Sequence, residues 1–280
     1  MAAEHGSILT LFTDFGMRDP YVGILKGVIA QVNPWLRVID VTHEIPPQDV
    51  GAARFALMTS YRYFPPGTVH MAVVDPGVGS QRRAVAISFQ PAPNQVPSFL
   101  VGPDNGLFSG VLDRTLVVAA VELTNCQYWR TPEPSSTFHG RDIFATVAAH
   151  LASGVSLEHL GAPIELDSLV SLPLPSYRVE PHGENDQYLI HGVIQAIDHF
   201  GNLITTIPAA AVNQAQWWLM LGPIEIASKP TYAAGRPQEV LALVGSHDWI
   251  EIAVNGGNAQ RILGVGIGDP VSVQVKTLDS

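Results

Sequence analysis

The sequence predicts an α/β protein in two parts. An N-terminal layered α/β domain with a largely parallel sheet occupies residues 1–170, and a small C-terminal antiparallel β-barrel-like domain occupies 188–280, with a proline-containing linker at 171–187. Three observations predict this. Strand-like and helix-like segments alternate through the first half, the pattern of a sheet with helices on its faces. The second half carries short β-rich runs separated by turn residues. Between the halves Pro173, Pro175 and Pro181, followed by a polar run at 183–187, punctuate the chain.

Residues 8–13 are a short apolar run rich in β formers, broken by Asp14-Phe15-Gly16, after which Pro20 suits an early helix position. Ile24, Leu25, Val28, Ile29 and Val32 then recur at helical spacing until Asn33-Pro34 stops them. A strand at 36–41 and a helix at 50–63 follow. Residues 69–74 are nearly all apolar, as in a strand buried inside a parallel sheet. Strands at 84–89 and 98–101 flank a proline-rich connection, another lies at 116–121, and a helix at 142–151 stops near Gly154. Beyond the linker, strands are expected at 188–197, 203–207, 219–226, 240–244, 249–254 and 271–275.

The composition excludes several classes. The formal charge is −10 and there is no basic run, which disfavours a nucleic-acid partner. The single cysteine, Cys126, rules out an intramolecular disulfide and a cysteine zinc site, and is expected to be a small buried hydrophobe. No apolar run approaches the ~20 residues of a membrane span. The first seven residues lack the basic and apolar regions of a signal peptide, so a cytoplasmic protein with no membrane association is expected. No G-x-G-x-x-G run follows the first strand, so ordinary dinucleotide binding is not expected.

Chargeable side chains gather beside glycines at 69–82 and 136–143, where apolar runs end. In an α/β sheet ligands bind in the crevice beyond the strand C-termini. Asp14 follows the first strand, where a carboxylate can accept two hydrogen bonds from a vicinal diol such as a ribose, or cap the next helix. Asp75 precedes Pro76-Gly77-Val78-Gly79, a turn composition, yet a carboxylate ending a central strand is costly to bury unpaired. Arg82 is its preferred partner and Arg83 the alternative; a guanidinium there would hold the carboxylate ionised. His139, between Phe138 and Gly140, titrates near neutral pH and precedes a helix whose N-terminus favours an anion. Asp75, Arg82 and His139 together supply an anion, a permanent cation and a titratable ring, a set able to position and polarise water. Arg141 and Asp142 read as an ion pair and a first-turn acid.

In the second half, Asp198-His199-Phe200-Gly201-Asn202 is ordinary hairpin composition. As a site, Asp198 would bind an ammonium, Phe200 would stack on a heterocycle and Asn202 would read its edge. The loops holding Ser246 and His247, and Asn255 with Gly256-Gly257-Asn258, offer further backbone N–H groups. No spacing matches a metal motif, and no metal or cofactor is expected.

Six motifs occur in order: Thr13-Asp14-Phe15-Gly16, Val74-Asp75-Pro76-Gly77-Val78-Gly79, Gly102-Pro103-Asp104-Asn105-Gly106-Leu107, Thr137-Phe138-His139-Gly140-Arg141-Asp142, Asp198-His199-Phe200-Gly201-Asn202 and Ile252-Ala253-Val254-Asn255-Gly256-Gly257-Asn258-Ala259. With them the chain, from about residue 8 to 275, closely resembles the S-adenosyl-L-methionine (SAM) hydroxide adenosyltransferases, or SAM hydrolases, relatives of fluorinating and chlorinating enzymes that use the same substrate. The resemblance implies hydrolysis of SAM to adenosine and L-methionine by attack of water at C5′, with SAM as substrate and no cofactor. It implies a homotrimer whose pocket lies between the N-terminal domain of one subunit and the C-terminal domain of its neighbour.

By the same resemblance Asp75, Arg82 and His139 hold the nucleophilic water, Asp14 binds the ribose, Asp198 and Ser246 hold the methionine end, and Asn202 reads adenine. Fluorinating relatives carry tyrosines in place of Asp75 and His139 and a serine in place of Gly140, differences that favour water over halide. They place an arginine near the methionine carboxylate, where His247 stands here. Three competing readings are a halide-using enzyme of the same fold, a metal-dependent phosphoesterase built from Asp14, Asp75, His139 and Asp142, and a non-catalytic SAM or adenosine binder.

Overall fold

The computed structural model describes residues 8–173, 175–182, 187–212 and 215–277. The polar run at 183–186 and the first seven residues, on which the linker and signal-peptide readings partly rest, lie outside the described residues. The chain divides into two compact units, Met1–Pro173 and Leu174–Ser280.

The first unit is a three-layer α/β structure. Its elements are β1 (Ile8–Thr13), α1 (Tyr21–Val32), β2 (Arg37–Thr42), α2 (Val50–Ser60), β3 (Val69–Val73), β4 (Ala84–Gln90), β5 (Ser98–Pro103), α3 (Ser109–Leu112), β6 (Leu116–Glu122), α4 (Ala145–Ala152) and β7 (Ala162–Pro163). The strand order is β2-β1-β3-β5-β4-β6-β7. The β2-β1-β3-β5 stretch is parallel, and β4, β6 and β7 pair antiparallel at the other side. The expected elements form where their periodicity placed them, because each has a face to bury. Val22, Leu25, Val28 and Ile29 of α1 join Leu9, Leu11, Val69, Met71 and α4 in one core layer. Phe12, Ala72 and Val74 point the other way, to Leu57 of α2 and Val111 of α3. β3 is buried along its whole length.

Helix ends follow local chemistry. The Asp49 side chain accepts from Ala52 N–H at 2.8 Å and so caps α2. Asn33 turns extended after α1 while its N–H still bonds the Ile29 carbonyl, as the following Pro34 requires. A π-helical turn, Gly140–Phe144, precedes α4. Cys126 is exposed, which corrects the expectation of burial: it opens a 3₁₀ turn capped by the Asn125 side chain, at the surface rather than on an apolar face.

The second unit is a nearly closed antiparallel barrel of β8 (Arg178–Pro181), β9 (Gln187–Ile197), β10 (Leu203–Pro208), β11 (Ala215–Leu221), β12 (Ile224–Ala227), β13 (Val240–Val244), β14 (Trp249–Val254) and β15 (Pro270–Thr277), with α5 at Ala259–Leu263. The order is β12-β11-β15-β9-β10-β14-β13, and a bridge from Ser228 to Ala242 links the two ends. Alternate residues such as Ile190, Ile194, Ile250, Ile252, Val271 and Val273 fill its core. Two expectations change. The run at 219–226 is a hairpin rather than one strand, because Gly222 takes φ +56° and reverses the chain. The segment expected to be linker contains β8, which pairs with β9.

Candidate active site

The order β2-β1-β3 places the first crossover on one side of β1 and the second on the other, so the switch point of the sheet lies between the C-termini of β1 and β3. Thr13 and Val73 pair there, and Asp14 and Asp75 follow just beyond them and line one cavity. Asp14 Oδ2 accepts the Gln48 N–H at 2.8 Å, with Gln48 at φ +66°. Gly16 has φ +67°, and its N–H bonds the carbonyl of buried His43, whose Nδ1 lies 2.8 Å from Thr13 Oγ1. The Asp14 turn is thereby fixed from behind.

The chain after Asp75 folds back so that Arg82 Nε lies 3.0 Å from both carboxylate oxygens and Nη2 lies 2.5 Å from Oδ2. Both side chains are nearly buried, at 10% and 6% exposure. The choice between the two arginines is decided by distant residues: Arg83 turns to Asp104, with Nε 2.9 Å from Oδ2, and to Ser168. Asn105 Nδ2 holds the Val74 carbonyl at 2.8 Å, anchoring the strand end that delivers Asp75.

His139 Nδ1 lies 2.7 Å from Arg82 Nη2. A guanidinium only donates, so Nδ1 accepts and a neutral ring carries its proton on Nε2. Burial, and then the Arg82 charge, hold the His139 pKa below its ordinary value, with Asp75 and Asp142 opposing. The loop bearing His139 is clamped by buried Asp142, which accepts from Arg141 Nε at 2.7 Å, Arg141 Nη2 at 2.6 Å and Ser135 N–H at 2.9 Å. The hydrogen bonds from Arg141 keep the Asp142 carboxyl below the usual carboxylate value. The expected ion pair is therefore present, and it also fixes the loop. Gly79, at φ +77°, packs so tightly on the Ser136 carbonyl that no side chain fits, which docks the Asp75 turn against the His139 loop. Phe15 and Phe138 stack edge to face at 5.8 Å and line this cavity of about 260 Å³ with Asp14, Asp75, His139 and Gly140.

The second unit has its own cavity, of about 560 Å³, lined by Asp198, Phe200, Asn202, Ser246 and His247 together with Tyr232 and Glu251. Asp198 closes its own hairpin: Oδ1 accepts Phe200 N–H at 2.9 Å and Asn202 N–H at 2.8 Å, and Oδ2 accepts Asn202 Nδ2 at 3.0 Å. Phe200 is 69% exposed, so little within its unit covers it. Asn255 is not brought to this cavity; its Nδ2 donates to the Gly235 carbonyl at 2.9 Å.

Sequence reasoning missed Glu251 and Tyr232. Tyr232 Oη donates to Glu251 Oε1 at 2.6 Å, and Glu251 is only 3% exposed. The available signal was a lone carboxylate inside the apolar strand Trp-Ile-Glu-Ile-Ala-Val. Among the described residues no cluster of three His, Cys, Asp or Glu is placed to hold a metal, and no helix is long and apolar enough to cross a membrane. Of the carboxylates that the phosphoesterase reading would use, Asp75 and Asp142 are each taken up by arginines.

Residues 9–161 match the family model for the SAM hydroxide adenosyltransferase N-terminal domain, and residues 192–272 match that for the C-terminal domain. The chain is 40% identical over 269 residues to the (R)-S-adenosyl-L-methionine hydrolase of Salinispora tropica, covering 95% of this chain and 97% of that protein. It is 28% identical to a fluorinase of an Actinoplanes species, covering 91% and 93%. The crystal structure of an uncharacterized conserved protein from Thermotoga maritima superimposes with a TM-score of 0.84 at 34% identity, covering 95% of this chain and 99% of that one.

Proposed function

The chain belongs to the SAM hydroxide adenosyltransferase family, and from that premise we propose that it hydrolyses the (R)-sulfonium epimer of S-adenosyl-L-methionine, the form named for its hydrolase relatives, to adenosine and L-methionine. Water attacks C5′ in line with the C5′–S bond. As the C–O bond forms, sulfur leaves with its electron pair as the neutral thioether of methionine. The surplus proton on oxygen passes to a base and then to solvent.

A sulfonium needs no acid to leave, so the demand on the protein is to aim a weak nucleophile, which can lower the barrier by several kcal/mol. The observation that carries the residue assignment is the Asp75–Arg82–His139 trio beside Asp14 at the switch point. With Nδ1 occupied by Arg82, neutral His139 presents Nε2–H as a donor to the water oxygen. Asp75 is then the proton acceptor. A carboxylate suffices, because the water proton becomes strongly acidic only once the C–O bond is forming. Arg82 holds both partners and disperses the charge. A carboxylate at this place repels halide, which favours water as the nucleophile.

Asp14 is proposed to take the ribose diol, and Asp198, Asn202, Phe200 and Ser246 the methionine and adenine ends. The first cavity, at about 260 Å³, is below the roughly 300–1,000 Å³ of a complete small-molecule site. This and the uncovered Phe200 leave each cavity open to completion by a second subunit, as in the homotrimer that the family resemblance implies.

The test is incubation of the purified protein with each sulfonium epimer in chloride-free buffer, following products by chromatography. Adenosine and L-methionine should appear in equal amounts from the (R) epimer and form at least about 100-fold more slowly in Asp75→Asn. Bound but intact substrate would establish a binder instead. 5′-Chloro-5′-deoxyadenosine on adding chloride would establish a halide-using enzyme.

A further inference from the structure

We propose that Glu251 is a second charge partner of the substrate's α-ammonium group, beside Asp198, and that it gives up a proton as that group enters. The inference rests on the proposed SAM chemistry and concerns the amino-acid end of the same substrate.

Two carboxylates line the cavity of the second unit, and they are not equivalent. Asp198 already accepts three hydrogen bonds from its own hairpin. Glu251 accepts one, from Tyr232 Oη. Its Oε2 lies against Gly245, where a Cβ would stand 2.6 Å away, so the glycine makes room for the carboxylate. The residues paired with Glu251 on the flanking strands are Ile204 of β10 and Leu243 of β13, both apolar. The titratable groups facing it are Tyr232, Asp198 and, along the cavity wall, His247. Among the described residues no lysine or arginine forms an ion pair with it.

A buried carboxylate without a cation is costly in its charged form and holds its proton. Burial accordingly pushes the Glu251 carboxyl above its ordinary value; Asp198 adds to this, and the Tyr232 hydrogen bond opposes it. An entering cation reverses the balance. The ammonium, with three N–H donors, fits Glu251 and the Ser246 hydroxyl, whereas the sulfonium has no donor to offer. Protons and substrate therefore compete at Glu251, and affinity should rise with pH until the free protein has lost that proton.

The experiment uses S-adenosyl-L-homocysteine, which keeps the amino-acid end and lacks the reactive sulfonium. Its binding is followed by calorimetry from pH 5 to 8 in buffers of different ionisation enthalpy. Affinity should rise with pH, by at most about tenfold per unit, with matching proton release. Glu251→Gln should bind about 10- to 100-fold more weakly and lose both the slope and the proton release. In steady-state turnover its KM for SAM should rise far more than its kcat falls. The desamino analogue of the probe should release no proton from the wild-type protein. Tyr232→Phe, which keeps the carboxylate but removes its donor, should shift the slope to higher pH.

A flat wild-type profile, a slope unchanged in Glu251→Gln, or affinity falling as pH rises would each overturn the proposal. Absence of SAM cleavage by the wild-type protein would instead sink the hydrolase reading, independently of these profiles.

Discussion

In the N-terminal unit the charges of the Asp75–Arg82–His139 set are already matched: the Asp75 carboxylate lies in the Arg82 guanidinium, and the same guanidinium occupies Nδ1 of a neutral His139. In the C-terminal unit they are not. Two carboxylates share a wall, one closing its own hairpin and the other buried with a single tyrosine hydroxyl. A matched set keeps its geometry in the empty protein, which suits a site that must aim water. An unmatched set has electrostatic cost stored in the empty protein, and a cationic ligand releases it. The two cavities should therefore respond in opposite ways when one charge is removed.

The largest effect is expected in the matched set. Arg82→Ala leaves Asp75 buried without its cation, which typically costs about 3–5 kcal/mol of folding stability. Activity should fall below detection, since the variant loses the link to His139 as well. Arg82→Lys restores the charge without the fork that grips both partners, so stability should recover more than turnover. Asp75→Asn keeps the shape and should lower kcat by about 10²–10⁴-fold, the usual contribution of a general base. Denaturant unfolding and turnover of the three variants check this together. An Arg82→Ala protein as stable as wild type would break the claim that the set is held by its internal pairing.

The difference between the cavities also bears on what the sequence could disclose. Asp14 and Asp75 were legible because each directly follows an apolar run, and chain order alone puts such residues at strand C-termini. The preference for Arg82 over Arg83 was only a preference, because what settles it is Asp104 and Ser168, which capture Arg83 from 21 and 85 residues away. The alternation of helix and strand made the N-terminal layers readable. β8 was hidden in a proline-punctuated segment, since its partner β9 rather than its own composition makes it a strand. Glu251 was read only as part of a strand. Its environment is assembled from Tyr232, Gly245 and Asp198, contacts that a barrel creates and local spacing does not announce. Cys126 misled because burial was inferred from residue type, whereas its position in a capped surface turn decided the outcome.

An intermediate effect separates two roles for His139. If its Nε2–H donates to the water, a side chain that donates from a similar place but takes up no proton should serve in part. His139→Ala should lower kcat by about 10²–10³-fold, within the range of acid–base contributions, and His139→Gln should regain at least about tenfold of that loss. The pH profile gives the sign independently. The working ring is neutral and its pKa is held below the ordinary value by burial and Arg82. At saturating SAM, where Glu251 is already paired, wild-type kcat should hence be flat through pH 7 and fall only as acid protonates the ring, below about pH 6.5. That acid limb should be missing in His139→Gln. A glutamine variant as poor as alanine would make the histidine a base and move Asp75 to a supporting place.

The smallest expected effect is in the unmatched cavity, and it runs toward greater stability. The Glu251 carboxyl is raised in the folded protein, chiefly by burial, so the folded state binds its proton more tightly than the unfolded chain. Below the unfolded value both states are protonated and Glu251 costs nothing. As pH rises through the folded value, stability is progressively lost. Glu251→Gln has no such loss, so its Tm should match wild type near pH 4 and exceed it by a few degrees at pH 8. The scale follows from roughly 2–4 °C per kcal/mol for a chain of 150–250 residues. Adding S-adenosyl-L-homocysteine at pH 8 should reverse the order, because ligand binding stabilises the protein whose carboxylate it pairs. Arg82→Ala lowers Tm in the empty protein, whereas Glu251→Gln raises it and lowers it only relative to the liganded wild type. That crossing of the Tm curves on ligand addition is the signature of a charge left unpaired for the substrate. Curves that stay parallel would mean Glu251 is paired within the barrel after all, and that the two cavities do not differ in kind.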